Sequence, residues 1–259
     1  MRKNALITGA SSGIGLELAK TFTREGFNLV LCARREDRLM HLKQELEENH
    51  STHVHVFVAD LSKPDAPDTL FQFCENQNIQ IDVLINNAGI GDYGFFSESD
   101  WNKTATMIDL NVRSLTHLTH LFLPGMISRG TGKIMNVAST AAFQPGPLMS
   151  VYYATKHYVL AFSEALANEV AKHDITVTTL CPGPTQSEFQ ATANMEKSKL
   201  MDRFPVPSSA EVAQYGFNAL KNGKRVAIYG VMNKIMAKII KFFPRRWVTA
   251  IVRKIQERE

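Results

Sequence analysis

Cysteine is scarce in this chain, with three residues among 259, and tryptophan scarcer, with two. Cys32, Cys74 and Cys181 have no metal-ligand spacing, so no metal site is expected. Cys32 and Cys181 fall in apolar strand-like runs, which predicts buried, unreactive thiols. No uninterrupted apolar run approaches the ~20 residues of a membrane span. The first strand-like run starts a few residues after Met1, leaving no room for a cleaved signal peptide. Together these absences point to the reduced cytoplasm. There are no internal repeats, low-complexity segments or interdomain linkers, so residues 1–259 read as a single domain. Charge is nearly balanced at +4, but most of the surplus lies after residue 220. No nucleic-acid-binding module is recognisable, so nucleic acid is not an expected partner.

What is present is an ordinary globular composition, 44% hydrophobic and 21% charged, in a chain long enough for one large α/β core. Strand-like and helix-like stretches alternate. Strands are expected at Ala5–Ile7, Leu29–Ala33, Val54–Val58, Asp82–Ile85, Lys133–Val137, Ile175–Leu180 and Val226–Tyr229. That pattern predicts a doubly wound, parallel seven-stranded sheet between two helical layers, Rossmann-like, with a C-terminal helical extension. A helical region opening at Asp100-Trp101 is expected to end near Pro124-Gly125. Ser208 and Glu211 have capping-box spacing.

The chain is organised around Thr8-Gly9-Ala10-Ser11-Ser12-Gly13-Ile14-Gly15, between the first strand and a helix pattern. Gly9 allows a sharp exit from the strand. Gly13 and Gly15 let backbone approach a diphosphate and the helix pack against the sheet. The free N–H groups at that helix start suit phosphate. The turn as a whole, with Gly9, Ser11, Ser12, Gly13, Ile14 and Gly15, is therefore the expected dinucleotide contact. At the end of the second strand, Ala33 stands where an acid would hold a ribose 2′-hydroxyl, and Arg34 and Arg35 follow. Guanidinium suits a 2′-phosphate, so NADP(H) is expected over NAD(H); the alternative is that these arginines only begin a surface helix. Arg38 is a further candidate. Asp60, with Leu61, stands at a strand end where it can accept from an adenine amino group or cap the next segment. Asn86-Asn87-Ala88-Gly89 offers amides that tie loops together and a glycine that permits close approach.

Taken in order, the glycine turn, Asn86-Asn87-Ala88-Gly89, Asn111, Ser139, Tyr152-x-x-x-Lys156 and Pro182-Gly183 resemble the short-chain dehydrogenase/reductase family over residues 4–230. The resemblance implies hydride transfer between a nicotinamide cofactor and a carbonyl or alcohol. It also implies Tyr152 as general acid/base, Ser139 as donor to the substrate oxygen, and Lys156 on the nicotinamide ribose. Asn111 would hold a water beside the lysine. Asn87, Ala88, Gly89, Pro182, Gly183, Thr185 and Ser187 would contact the cofactor; at Ser187 the family often has threonine. Tyr152 and Lys156, four residues apart, share a helix face, and the ammonium is expected to lower the phenol's pKa. Family precedent implies a homodimer through the helices carrying Asn111 and Tyr152. Two alternatives stay open: an NAD-dependent alcohol dehydrogenase of the same family, and a non-catalytic dinucleotide-binding sensor or scaffold.

On the substrate side, Phe143, Met149, Phe189, Met195, Leu200, Met201 and Phe204 either line an apolar pocket or pack their loops down. No arginine stands out as a carboxylate clamp, which favours a neutral apolar ketone, aldehyde or secondary alcohol. Residues 231–259 form a basic amphipathic tail, broken at Phe243-Pro244. Its apolar stripe is expected to pack on the domain or on another subunit. The competing expectation is peripheral contact with an anionic membrane, by a tail that can be removed without loss of activity.

Overall fold

Strands buried on both faces read as continuous apolar runs, and all seven such runs are strands. They are β1 (Asn4–Thr8), β2 (Asn28–Ala33), β3 (Val54–Val58), β4 (Val83–Asn86), β5 (Gly132–Val137), β6 (Ile175–Cys181) and β7 (Val226–Ile228). The computed structural model describes residues 2–193 and 206–257. Met195, Leu200, Met201 and Phe204 lie outside the described residues. The strands form one parallel sheet in the order β3-β2-β1-β4-β5-β6-β7. The fold is thus Rossmann-like, as the alternation predicts. The chain winds one way from β1 and the other way from β4, so the crevice between their carboxyl ends is the topological switch point.

Alternation along each strand assigns its side chains to two cores. Ala5 and Ile7 pack with α1 (Gly13–Arg24), α2 (Glu36–Asn49) and α8 (Ser209–Lys221) through Phe22, Leu39, Leu42 and Phe217. Leu6 faces the opposite layer, built from α3 (Ala66–Asn76), α5 (Leu115–Arg129) and α6 (Ser150–Glu169). Ala5, Leu6 and Ile7 are fully buried. Burial of such a leucine or isoleucine contributes about 1.5–3 kcal/mol, so this short strand anchors both layers. The Ser208–Glu211 capping box forms at the start of α8.

Two local features depart from the sequence pattern. α4 (Trp101–Ile108) runs into a π-helical segment, Asp109–Ser114, and then α5, which passes Pro124 and ends only at Gly130 (φ +63°). Proline removes one helical donor, and the carbonyl it orphans belongs to His120, which is exposed to water. Beyond Ser187 a four-residue helix, α7 (Phe189–Thr192), follows. The tail forms α9 (Val231–Ile239) and α10 (Arg245–Gln256), separated at Pro244.

Candidate active site

The glycine turn lies at the switch point. Gly9 (φ +68°) and Gly13 (φ +56°) adopt left-handed backbone. A Cβ on Gly15 would stand 2.3 Å from the Gly9 carbonyl oxygen, so α1 can start this close to the turn only with glycine there. Thr8 Oγ1 accepts from the N–H groups of Asn87 and Ala88, both at 3.0 Å, and Asn87 Nδ2 donates to the Thr8 carbonyl at 2.9 Å. These bonds fasten the end of β4 to the end of β1. Ser12 makes no side-chain cap on α1, so the first N–H groups of that helix face the cavity. A turn without Cβ atoms, ending in open helix donors, fits a diphosphate.

One cavity of about 400 Å³ runs from this turn along the carboxyl ends of the strands. Every cofactor candidate borders it except Gly15, which acts from behind the turn, and Arg38. Asp60 Oδ1 accepts from the Ser62 N–H (3.0 Å) and hydroxyl (2.8 Å), so it caps the next segment while facing the cavity. Burial alone would raise its pKa, but the Ser62 bonds and the nearby Arg34 charge bring it below the ordinary value. Arg35 donates to Ser11 Oγ and, at 2.8 Å, to Ser12 Oγ. It also pairs with Glu188 at 2.7 Å, and Arg38 pairs with the same carboxylate. Arg35 thus stands at the N-cap of α2, as the surface-helix alternative has it, and at the same time holds the serines of the turn. Arg34 stays exposed at the cavity rim.

At the other end of the cavity, β5 delivers Ser139 and α6 delivers Tyr152 and Lys156. Lys156 is 5% exposed, donates to the Val137 carbonyl at 2.9 Å, and lies 5.7 Å from the Tyr152 ring centre. Burial pulls its pKa down to about 8. Burial also pushes the Tyr152 phenol above its ordinary range, while a hydrogen bond with Ser139 pulls the other way. The expected lowering by Lys156 is not seen: desolvation is the largest influence on this phenol, and Ser139 is the group that lowers it. The three cysteines are buried, and each thiol is raised to about 12 by burial, which leaves them unreactive.

Asn111 is on the π segment, not on the cavity wall. Its Oδ1 accepts from the Ile90 N–H (3.0 Å), and its Nδ2 donates to the Ile90 carbonyl (2.9 Å) and to Thr155 Oγ1 (3.1 Å). It thereby fixes the loop after β4 against α6. The π bulge is what turns this side chain inward. Pro182, Gly183, Thr185 and Ser187 close the cavity over the glycine turn; a Cβ on Gly13 would meet Ser187 Cβ at 3.3 Å.

Of the substrate candidates, Met149 and Phe189 line the cavity, and Phe189 stands 5.4 Å from Tyr152, ring to ring. Phe143 packs instead against Leu115, Val159 and Leu160. Sequence reasoning misses Glu188 and Gln256. Glu188 meets Arg35 across 153 residues, and nothing local marks it. Gln256, in the last turn of α10, donates to the Tyr153 hydroxyl and accepts from Tyr93 through its carbonyl. Val248 and Val252 pack there with Met149 and Tyr153.

The rest of the tail stays uncovered. Val231, Met232, Ile235, Met236, Ile239, Phe242, Phe243, Trp247 and Ile251 are all exposed, up to 86% at Phe242. The expectation of a stripe packed on the domain holds for Val248 and Val252, which are buried, and for Ile240, which packs beside them; Ala237, outside the stripe, is buried as well. Between Glu211 and Glu257 the sequence has no acidic residue. No described helix is long and apolar enough to cross a membrane.

The family model described as short chain dehydrogenase matches residues 3–198. The chain is 31% identical to 17-beta-hydroxysteroid dehydrogenase type 3 of Mus musculus over 237 residues, 91% of this chain and 77% of that protein. It is similar in structure to a short-chain dehydrogenase from Sphingobium yanoikuyae solved in complex with NADPH, with TM-score 0.84 and 30% identity over 99% of each chain. It is also similar to the bulky-bulky ketone specific alcohol dehydrogenase from Comamonas testosteroni, with TM-score 0.78 and 27% identity over 94% of this chain and 95% of that one.

Proposed function

From the premise that this chain belongs to the short-chain dehydrogenase family and is an NAD(P)-dependent oxidoreductase, we propose that it interconverts a neutral, apolar ketone or aldehyde with its alcohol, preferring NADP(H). The observation that carries this reading is the meeting of Ser139, Tyr152 and Lys156 at one end of the cavity whose other end is the glycine turn.

The bound nicotinamide supplies the hydride. Gly9, Ser11, Ser12, Gly13, Ile14 and Gly15 hold its diphosphate, Asp60 and Leu61 the adenine side, and Arg34 and Arg35 the 2′-phosphate. Asn87, Ala88, Gly89, Pro182, Gly183, Thr185 and Ser187 hold the nicotinamide side. Tyr152 gives a proton to the carbonyl oxygen in reduction and takes it back in oxidation. Ser139 donates to the same oxygen and keeps it beside the phenol. Lys156 carries positive charge toward the ring, so it favours phenolate whenever the proton has left. Asn111 keeps the Ile90 loop and α6 in register behind the lysine. Met149, Phe189 and Ile90 offer an apolar wall, and among the described cavity residues Arg34 and Arg35, both at the turn end, are the arginines. That distribution supports an uncharged substrate, as does the likeness to the ketone-specific alcohol dehydrogenase from Comamonas testosteroni.

The test is NADPH and NADH oxidation over a panel of apolar ketones and aldehydes. Turnover with NADPH is expected, and Tyr152→Phe should lower kcat by roughly 10²–10⁴ with NADPH binding retained. Binding with no turnover on any carbonyl would instead favour a sensor. The same proposal includes a single domain, pairing as a homodimer through the helical segments that carry Asn111 and Tyr152, and peripheral contact of the exposed α9–α10 face with an anionic membrane. The interleaving of that apolar face with Lys234, Lys238, Lys241, Arg245 and Arg246 supports the membrane contact.

A further inference from the structure

Two guanidiniums converge on one carboxylate at the cavity rim. Arg35 reaches Ser11 Oγ at 3.0 Å, Ser12 Oγ at 2.8 Å and Glu188 Oε2 at 2.7 Å. Arg38 takes the other oxygen, Oε1, of Glu188. The two guanidiniums make an anion cradle, with Arg35 also held by the two serine hydroxyls, and the chain's own acid is the anion in it. We propose that Glu188 is an internal competitor for the cofactor's 2′-phosphate: it and the phosphate claim the same guanidiniums, so Glu188 limits how strongly the enzyme discriminates NADP(H) from NAD(H). This rests on the reading of Arg35 as a 2′-phosphate ligand.

The charges make the competition unequal. Hydrogen bonds from Arg38 and Arg35 hold the Glu188 pKa down to about 2, so it is an anion at any working pH. Yet Arg35, Arg38 and Glu188 are 39%, 44% and 48% exposed, and ion pairs so open to water are weak and screened. A phosphate monoester carries more charge than a carboxylate and has three acceptor oxygens. It therefore wins the cradle, but only after breaking the Glu188 pairs, and that loss is subtracted from its affinity. A cofactor with a free 2′-hydroxyl breaks nothing and loses nothing. Glu188 thus narrows the gap between the two cofactors without touching the reacting atoms.

The experiment is fluorescence titration of NADPH and NADH into wild type, Glu188→Gln and Glu188→Ala. The glutamine is nearly isosteric at an exposed site, and the alanine removes any residual hydrogen bond. NADPH should bind roughly tenfold more tightly to both variants, the combined effect of two exposed ion pairs, with NADH unchanged within about twofold. Unchanged NADPH affinity would overturn the proposal. So would weakened NADH binding, since Glu188 would then be a ribose ligand. Arg35→Ala separates the two levels. If it abolishes NADPH preference while the Glu188 variants do nothing, only the competitor fails. If it leaves the preference unchanged, the 2′-phosphate reading falls and the competitor with it.

Discussion

Lys156 shows what burial does to one charge. Its ammonium titrates near 8 in the folded chain, against an ordinary value of 10.5. Between those values the unfolded chain binds a proton that the folded one does not, so stability rises with pH across that window. Below pH 8 both states are charged and the burial penalty is present in full. Lys156→Met removes that penalty and also the bond to the Val137 carbonyl. Urea denaturation at several pH values should show wild type gaining on the Lys156→Met variant from pH 8 to 10; a constant difference would contradict the depressed pKa. Activity should fall in the same variant, because no cation remains beside Tyr152. The pairing of Tyr152 with Lys156 was legible from a four-residue offset on a helix. Which of them burial would shift, and by how much, was not, because desolvation is set by the walls that Ser139, Pro182 and Phe189 bring from distant parts of the chain.

The turn between β1 and α1 is the element on which cofactor binding depends. Gly15→Ala would place its methyl against the Gly9 carbonyl oxygen at 2.3 Å and Asn87 Nδ2 at 2.4 Å. Backbone cannot swing aside as a flexible side chain does, so α1 must move outward. A loss of about 1–3 kcal/mol of stability is expected, with NADPH affinity falling at least roughly tenfold. A thermal melt and a titration measure the two effects; a variant with parental affinity would mean that helix and turn are less tightly coupled than the contacts indicate. Strands were the most legible elements, because β1, β4, β5 and β6 are buried on both faces and their apolar runs admit little else. The helical region from Trp101 to Arg129 was less so. Its π bulge has no composition signal, and the helix runs on past Pro124, which the sequence places near its end, to Arg129. Asn111 was legible by resemblance, but its bonds to Ile90 and Thr155 were not, since only the bulge turns it inward.

At the scale of the whole molecule, nine of the exposed large apolar residues lie between Val231 and Ile251, among basic side chains with no acid between Glu211 and Glu257. An exposed apolar patch of this size supports the proposed reading of the tail as an interaction surface. Two copies meeting through it would oppose lysine to lysine and arginine to arginine, whereas an anionic bilayer complements both the cations and the apolar stripe. Wild type should co-sediment with phosphatidylserine vesicles, and roughly 0.5 M salt should weaken that binding. Ile235→Ser with Trp247→Ser should abolish it while leaving the melting temperature in place. Co-sedimentation that survives both serines would assign the face to something other than lipid. Point changes serve better than truncation, because Val248, Val252 and Gln256 lie against Met149 and Tyr153. The same contact divides labour within the chain. The family match ends at residue 198, yet the wall behind Tyr153 comes from residues 248–256. On the proposed reading, in which Tyr153 borders the substrate, exchanging the last dozen residues should change the shape of molecule admitted while leaving the proton path alone.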